Sequence, residues 1–237
     1  MGKSCYKHSE ISCDRNRSFD RCLITPEDAD ARQVETSWGS QWWTLVTCPL
    51  AECNEHFDEP DAHIDTVIIA VDGACRGNGT SYAKASYGIF FHRDNWSWNE
   101  CQTLSDEFTT NQQAELAAAM WALRRAKSIK ALNRENRRPG PTRRLSRVVI
   151  KADSAYLVNA MTDWIFKWKN NGYINCRGLP VTNAGLFKQI ESEVQALAEL
   201  DVEMQFWHVR RQYNMEADRL ANAALDGKTP SEVLNEE

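Results

Sequence analysis

Four acidic residues are the part of the sequence best suited to chemistry: Asp72, Glu115, Asp153 and Asp218. Asp72 closes the apolar run 67–71 and precedes a glycine-rich turn, and Asp153 closes a second apolar run, 148–152. Glu115 and Asp218 each lie at the start of a predicted helix. Carboxylates brought together without a cation repel one another and raise their own pKa values. A fold that gathers four of them therefore favours hard divalent cations, which prefer oxygen ligands.

Divalent metal beside such a quartet suits phosphoryl chemistry. Two Mg²⁺ ions about 4 Å apart can hold both the attacking and the leaving oxygen of an in-line displacement at phosphorus. The alternative is that each acid only caps a helix or faces solvent, and for a single aspartate that is the better interpretation. For four acids at predicted strand ends and helix starts, phosphodiester cleavage is the stronger prediction.

A family resemblance rests on four segments in a fixed order: DGACRGNG, TNQQAE, ADS and NMEAD. Together they resemble the signature of type 1 ribonuclease H, whose members cut the RNA strand of an RNA/DNA hybrid, and the match runs from about Ile64 to Leu225. The resemblance implies an endoribonuclease that leaves a 5′-phosphate and a 3′-hydroxyl and uses two Mg²⁺ ions, with Mn²⁺ as a substitute. Asp72 and Asp153 would be the principal ligands. Glu115 would hold one ion and contact the ribose, and Asp218 would complete the other site.

Several residues near these acids are candidates for substrate contacts. Contacts to the 2′-hydroxyl distinguish RNA from DNA, and the resemblance implies that Asn78, Asn111 and Gln112 make them. Residues 164–173 interleave aromatic and basic side chains, which suits sugar faces and phosphates, and resemble the basic protrusion of the family. By the same resemblance, the DNA strand would be held by Thr110, Tyr156, Trp168, Lys169 and Asn183. Of these, Thr110 and Asn183 would hold a phosphate.

Purely structural roles stay open for some of these residues. Asn78 can adopt a left-handed turn and Asn111 can help to cap a helix, and both roles are compatible with binding. For Trp164 and Ile165, a place in the core of an amphipathic helix is the better interpretation.

The sequence departs from the family pattern at two places. Many members carry a long loop with a catalytic histidine after the fifth strand, whereas here residues 209–213 lead directly into Asn214. His208 aligns with an earlier position of the family pattern, at the end of a strand, and we expect it to have a structural role. An arginine that often precedes the TNQ motif, in the phosphate pocket, is Phe108 here. We expect the grip on the DNA strand to be weaker, or to come from elsewhere.

Hydrophobic periodicity predicts the elements that position these residues. The predicted strands are 67–71, 87–91, 96–101, 147–152 and 202–208. Thr110 and Gln113 form a capping-box pattern that opens a helix, Asn183 is placed to cap another, and further helices are predicted over 156–161, 163–169 and 215–225. Three antiparallel strands, then strands joined through helices, indicate an α/β fold: a ribonuclease H-like mixed five-stranded sheet with helices on both faces. We expect an N-terminal extension at 1–62, partly disordered and partly packed on the catalytic domain, a ribonuclease H domain at 63–228 and an acidic tail at 229–237.

Charge is distributed unevenly along the chain. The 237 residues carry a net charge of −5, yet ten of the 28 lysine and arginine residues lie between Arg124 and Arg147 with one acid, Glu135. Local potential matters more than the total for a nucleic-acid partner. The arginine-rich loop 133–144 resembles an insertion into the family pattern, and it either contacts hybrid phosphates or remains a solvated loop.

The cysteine content and the hydropathy of the sequence indicate in which cellular compartment the protein is expected. Eight cysteines without a secretion signal favour free thiols over a disulfide framework. Cys5 with His8, and Cys48 with Cys53 and His56, match no standard zinc-finger spacing. There is no apolar run of bilayer length and no basic-then-apolar leader pattern. We therefore expect an intracellular protein of the nucleus or cytoplasm, with an RNA/DNA hybrid as partner, no membrane and no obligate protein partner.

Two other classes of function stay open. The missing histidine and altered phosphate pocket suit a catalytically weak or inactive hybrid-binding module, although a binder has no reason to keep four mutually repelling acids. A DNA-directed nuclease or strand-transfer domain of the same broad fold would carry similar acids, but there the ribose contacts of Asn111 and Gln112 would be unexpected.

Overall fold

A seven-stranded mixed sheet organises the residues that the computed structural model describes, which are 17–20, 31–37, 43–47, 62–95, 97–135 and 145–235. Its strands are β1 (Glu35–Ser37), β2 (Thr44–Thr47), β3 (Ala62–Arg76), β4 (Lys84–Phe90), β5 (Glu100–Thr103), β6 (Arg147–Ala152) and β7 (Glu203–His208). The strands β3, β4 and β5 form an antiparallel meander, and β6 and β7 continue the sheet in parallel with β3. This arrangement confirms the predicted mixed sheet, with three antiparallel strands followed by parallel ones.

Two strands were missing from the prediction, because β1 and β2 come from the N-terminal segment. Strand β2 pairs with the first part of β3, from Ala62 to Val67, and β4 pairs with the second part, from Ala70 to Arg76. Both use the edge of β3 that faces away from β6. A four-residue strand carries too little periodicity to be recognised alone, since it is stabilised by pairing with the longer strand beside it. The sheet therefore has seven strands and not five.

Helices cover both faces of the sheet, as predicted. They are α1 (Asn111–Glu135), α2 (Ala155–Asn159), α3 (Ile165–Asn171), α4 (Ala184–Ala198), α5 (Met215–Leu225) and α6 (Pro230–Leu234). Alternation along the strands separates the two faces. Val67, Ile69 and Val71 join the large core beneath α1 and α4, whereas Ile68 joins a smaller cluster with Val149 on the other face.

Several predicted boundaries are wrong, and three of the differences have local reasons. The strand expected at 96–101 begins only at Glu100, because residues 97–98 lie in a turn that Asn99 closes by accepting from Phe91 N at 2.8 Å and donating to His92 O at 2.7 Å. The two helices expected at 156–161 and 163–169 are one continuous segment that passes through a π-helical turn at Ala160–Trp164. Strand β3 continues past its predicted end at Val71, since β4 pairs with it up to Arg76.

Parts of the predicted extension and tail have defined structure. Ser18 forms a parallel bridge with Phe206 on the edge of β7 that faces away from β6. Phe19 packs on Trp207 with ring centroids 5.2 Å apart. At the other end, Thr229 and Glu232 form a capping box that opens α6, whose Leu234 is buried. The division of the chain at 62 and 228 stays a prediction.

Some predictions fall outside the described residues. They include the arginine-rich segment 136–144, the side chains of 133–135, and the cysteine and histidine pairs considered for zinc. Cys75, Cys101 and Cys176, which are described, are free thiols. In the described part of the chain, no helix is both long and apolar enough to span a membrane.

Gly88 allows α5 to lie directly on the sheet, and its replacement is expected to destabilise the fold. A Cβ atom at this position would lie 2.5 Å from the backbone nitrogen of Ala221, in the middle of α5. Gly88→Ala should therefore reduce the free energy of unfolding by about 1 to 3 kcal/mol, measured by urea denaturation. Gly185→Ala in α4 is the matched control, because a Cβ there meets nothing within 4 Å. Equal stability of the two variants would contradict this packing.

Candidate active site

The parallel register of β3 and β6 brings Asp72 beside Asp153. Ala70 pairs with Lys151, and each aspartate lies two residues after the paired residue of its own strand. The two aspartates therefore occupy matching positions on one face of the sheet. Asp72 lies within β3, and not at its end as predicted, but it comes just beyond the last residue that pairs with β6. Asp153 follows the last residue of β6 directly. The two residues are far apart in sequence, and the pairing of β3 with β6 brings them close together.

Helix α5 adds Asp218 from the same face. Gly88 and Ser86 let this helix approach, and the Ser86 hydroxyl donates to Ala221 O at 2.5 Å. Asp218 lies in the first turn of α5 and shares a side-chain hydrogen bond with Asp72. Its carboxylate also accepts from the guanidinium of Arg211 and from Asn222 Nδ2, the latter at 3.3 Å.

Glu115 comes from the opposite face and reaches the site from the first turns of α1. The predicted capping box is confirmed: Thr110 N donates to Gln113 Oε1 at 3.1 Å, and Gln113 N donates to Thr110 Oγ1 at 3.3 Å. Gly73 permits the close approach of this helix, since a Cβ atom there would overlap the backbone that joins Ala114 to Glu115. The Glu115 carboxylate accepts a hydrogen bond from Ser154 Oγ.

The electrostatics of the site show the predicted repulsion. Burial raises the pKa of Asp72, the charges of Asp153 and Asp218 raise it further, and a 2.8 Å hydrogen bond from Gly73 N opposes them, leaving the pKa at about 8. The Asp72 residue is only 8% exposed. Burial also raises the pKa of Glu115, with Asp153 acting in the same direction, while Ser154 and Arg211 oppose it. Asp153 therefore acts on both Asp72 and Glu115, and Asp218 acts on Asp72.

The donor chemistry of this group fits a divalent cation. Four carboxylates offer hard oxygen ligands, and a cation would offset the burial and the repulsion that raise the pKa of Asp72. Within the described ranges, no three acidic, histidine or cysteine side chains are arranged as joint ligands of one ion. Asp72, Glu115, Asp153 and Asp218 each also accept a hydrogen bond from a protein donor. The ligand set stays a prediction.

Two supporting residues were not identified from the sequence. Asn214 is completely buried, and its Nδ2 donates at 3.0 Å both to Val71 O and to Asp153 Oδ1, so it ties the start of α5 to β3 and to the acid after β6. Arg211 places a cation on Asp218 from the short connection between β7 and α5. Asn214 is the first residue of the NMEAD motif, which was the available signal for it, whereas Arg211 precedes that motif. His208 lies nearby, with Nε2 3.3 Å from Asp153 O.

Removal of the Arg211 guanidinium is expected to strengthen cation binding. Arg211 occupies an oxygen of Asp218 and its charge also acts on Glu115, so it competes with a metal ion for the same carboxylates. Arg211→Gln should raise the apparent affinity for Mn²⁺ roughly two- to fivefold, because the guanidinium is largely exposed and screened by solvent. Electron paramagnetic resonance of free Mn²⁺ measures this change, with Arg210→Gln as the neighbouring control. Unchanged or weaker Mn²⁺ binding would oppose the assignment.

The candidate ribose contacts lie on the surface beside the acids. Asn78, Asn111 and Gln112 are all exposed, and Asn78 Oδ1 accepts from Asn111 N at 2.9 Å. This bond, with one from Gly79 N to Thr109 O at 2.7 Å, fastens the glycine-rich turn to the start of α1. Asn78 therefore satisfies one backbone donor at the start of α1, beside the Thr110–Gln113 capping box. The contacts of these residues with ribose stay a prediction.

The candidate contacts to the DNA strand lie mainly around α3 and the start of α4. Tyr156 donates to Thr182 O at 3.2 Å and also hydrogen-bonds Asn183, and Trp168 packs on Phe187 with ring centroids 5.1 Å apart. Asn183 occupies the N-cap position of α4 as predicted, but its φ is 62° and its side chain makes no capping hydrogen bond. Trp164 is half-buried against the core, and Ile165 is completely buried. Thr110 is committed to the capping box of α1.

Phe108 is half-buried and lines an open cleft of about 340 Å³ with Tyr87 and Trp121, where the family often has an arginine before the TNQ motif. The rings of Tyr87 and Trp121 stack with their centroids 6.1 Å apart. The cleft is therefore aromatic on one side, and Phe108 adds no cation to it.

A mixed sheet that sets two aspartates side by side by parallel register, with a third acid from α5 and a glutamate from α1, defines a ribonuclease H-like fold with an acidic site. The RNase H family model matches residues 65–226, and the chain belongs to that family. The resemblance carried by the four motifs is thereby confirmed.

Named relatives agree with this membership. Ribonuclease H of Pelobacter propionicus is 34% identical over 168 residues, which are 70% of this chain and 88% of that protein. Ribonuclease H1 of Mus musculus is 28% identical over 166 residues, which are 66% of this chain but 49% of that protein, so the chain spans about half the length of this relative. The crystal structure of LC11-RNase H1 in complex with RNA/DNA hybrid aligns with a TM-score of 0.43 at 22% identity, covering 68% of this chain and 96% of that one.

Proposed function

We propose that the protein is an endoribonuclease that hydrolyses the RNA strand of RNA/DNA hybrids and leaves a 5′-phosphate and a 3′-hydroxyl. The observation that carries this proposal is the convergence of Asp72, Glu115, Asp153 and Asp218, from two strands and two helices distant in sequence, in a member of the RNase H family. The reaction needs no protein nucleophile, since water can attack phosphorus directly. Hydrolysis is therefore consistent with a site made of carboxylates.

The four acids would hold two Mg²⁺ ions, with Mn²⁺ as a substitute. When bound, such ions supply Lewis-acid polarisation of the scissile phosphate and of the attacking water. The chain itself positions the ligands: Asn214 fixes Asp153 relative to β3, and Ser154 orients Glu115. Gly73 brings Glu115 and the adjacent polar residues to the edge where the hybrid would lie.

Recognition of the hybrid is proposed to divide between two surfaces. Asn78, Asn111 and Gln112 would contact ribose hydroxyls of the RNA strand, because they are exposed and lie on either side of the bond that joins the glycine-rich turn to α1. Tyr156, Trp168 and Lys169 would contact the DNA strand, with Thr110 and Asn183 at a phosphate. Aromatic and basic groups on α2 and α3 suit stacking on sugars and pairing with phosphates.

The proposal is tested by incubating the purified protein with end-labelled RNA/DNA hybrid, duplex RNA or duplex DNA in Mg²⁺ or Mn²⁺. The expected result is cleavage of the RNA strand of the hybrid alone, yielding fragments with a 5′-phosphate. No cleavage with either metal, from protein shown to be folded by circular dichroism, would refute the assignment. Preferential cutting of duplex DNA would instead support a DNA-directed nuclease of the same fold.

A second candidate is a hybrid-binding module with weak or no turnover. It is favoured by the six-residue connection 209–214 between β7 and α5, which contains no histidine, and by the cation of Arg211 on Asp218. The four retained acids favour the enzyme. Strong hybrid binding without cleavage in the same assay would identify the binding module.

A further inference from the structure

A buried ion-pair cluster joins the N-terminal segment to the predicted DNA-strand surface. Arg17 and Glu191 are 2% and 5% exposed, respectively. The guanidinium donates to both carboxylate oxygens, from Nη1 to Oε2 at 2.5 Å and from Nη2 to Oε1 at 3.1 Å. Lys169 Nζ donates to the same Oε1 at 2.6 Å. One carboxylate in α4 is thus shared by two cations from different parts of the chain.

The backbone holds Arg17 in this place. Residues 17–19 lie along the free edge of β7, where Phe206 N donates to Arg17 O at 2.7 Å and Phe19 N donates to Phe206 O at 3.0 Å. The guanidinium also lies over the ring of Phe166 in α3, 5.2 Å from its centroid. Residues 17–19 therefore place a positive charge against the aromatic and basic segment 164–173.

Glu191 accepts hydrogen bonds from Arg17 and Lys169 at the same time. Burial alone would raise the pKa of Glu191, but hydrogen bonds from Arg17 and Lys169 keep it below the ordinary value, so the carboxylate remains charged. Arg17, Glu191 and Lys169 together carry a net charge of +1, and the lysine is the exposed member, with 33% of its side chain accessible. Without Arg17, the carboxylate would be neutralised by Lys169 alone, and no net charge would remain for a phosphate.

We propose that Arg17 is a positioning residue for nucleic-acid binding: by sharing Glu191, it weakens the attraction of that carboxylate for Lys169, so that Lys169 can exchange it for a phosphate of the DNA strand. The N-terminal segment would then set the affinity for hybrid while lying outside the region that matches the family model. The choice of an RNA/DNA hybrid as the partner rests on the proposed function. The coupling between Arg17 and Lys169 does not depend on that function.

Replacing Arg17 and replacing Glu191 are expected to change hybrid binding in opposite directions. Arg17→Met should weaken hybrid binding roughly threefold and reduce the salt slope of the binding constant by about 1, because Glu191 then captures Lys169. Glu191→Gln should strengthen binding by a similar factor and increase the slope, because Lys169 is released. Arg17→Lys keeps the charge and should resemble the wild type. A merely structural role would instead make both neutralising variants bind worse.

The test measures hybrid binding by fluorescence anisotropy over a range of salt concentrations, together with the acetylation rate of Lys169 by mass spectrometry. Acetylation should slow in Arg17→Met and accelerate in Glu191→Gln, and it needs no nucleic acid. Glu203→Gln, which breaks the Arg147–Glu203 pair between β6 and β7, is the matched control and should leave both readouts unchanged. Arg17→Gln, whose amide can still donate to Glu191, replaces Arg17→Met if that variant fails to fold.

The outcomes separate this inference from the function. Opposite shifts in Lys169 acetylation support it, and shifts in the same direction, or none, overturn it. Wild-type protein that fails to bind hybrid would count against the proposed function, while the acetylation rates would still decide whether Arg17 controls Lys169.

Discussion

Replacement of Asp153 by asparagine is expected to reduce hybrid cleavage by roughly a thousandfold or more while leaving hybrid binding intact. Asparagine is the same size and its Oδ1 can still accept from Asn214 Nδ2, so the local fold should persist. What is lost is the negative charge beside Asp72, which would hold a cation. Single-turnover cleavage rates and equilibrium binding of a labelled hybrid measure the two effects separately.

An exposed acid supplies the control for this change. Asp163 lies in the π-helical turn and pairs with Lys167 on the surface, so Asp163→Asn removes an equal charge from outside the acidic site. It should retain wild-type turnover. If Asp153→Asn cleaves hybrid as fast as Asp163→Asn does, the assignment of Asp153 to the reaction is wrong. Tighter binding with no cleavage in either protein would identify a binding module.

Replacement of Asp72 by asparagine is expected to stabilise the metal-free protein by roughly 5 kcal/mol near pH 8, because an amide removes both the cost of burying a charge at this position and the repulsion among the acids. The shift of its pKa to about 8 sets this scale. In the unfolded chain, Asp72 releases its proton near pH 4. The folded state therefore binds more protons between about pH 4 and pH 8, and stability contributed by this residue is lost as the pH rises through that window.

Urea denaturation in the presence of a chelator, from pH 4 to pH 9, measures the effect. The wild type should lose stability towards pH 8, and Asp72→Asn should lose much less, so that the difference between them grows with pH. Asp163→Asn should follow the wild type at every pH. A less stable Asp72→Asn protein at pH 8 would mean that the acids do not repel one another as the structure indicates.

The sequence predicted those elements whose pattern is set by their own residues. Strand β6 has the predicted bounds, Arg147–Ala152, because a continuous apolar run in a parallel sheet is buried on both faces. Helix α5 likewise begins and ends as predicted, at Met215 and Leu225. The Thr110–Gln113 capping box is local chemistry, and it formed as predicted.

What the sequence could not predict depends on pairing between distant segments. Residues 17–20 and strands β1 and β2 are too short to show a period. Ser18 bridges to β7, β2 pairs with β3, and β1 pairs with β2. The acids were found because motifs surround them, but their side-by-side placement follows from the register of β3 with β6. Arg211 was missed as a partner of Asp218 because an arginine in a short connection has no signature of its own.

The most direct test of the acidic site is the location of bound Mn²⁺ by anomalous scattering in crystals grown or soaked with the metal. We predict manganese peaks within ligand distance of Asp72, with Asp153, Asp218 or Glu115 completing the coordination, and their loss in Asp72→Asn. Manganese bound only elsewhere, or absent from this site in saturated crystals, would contradict the claim that these four carboxylates form a metal centre.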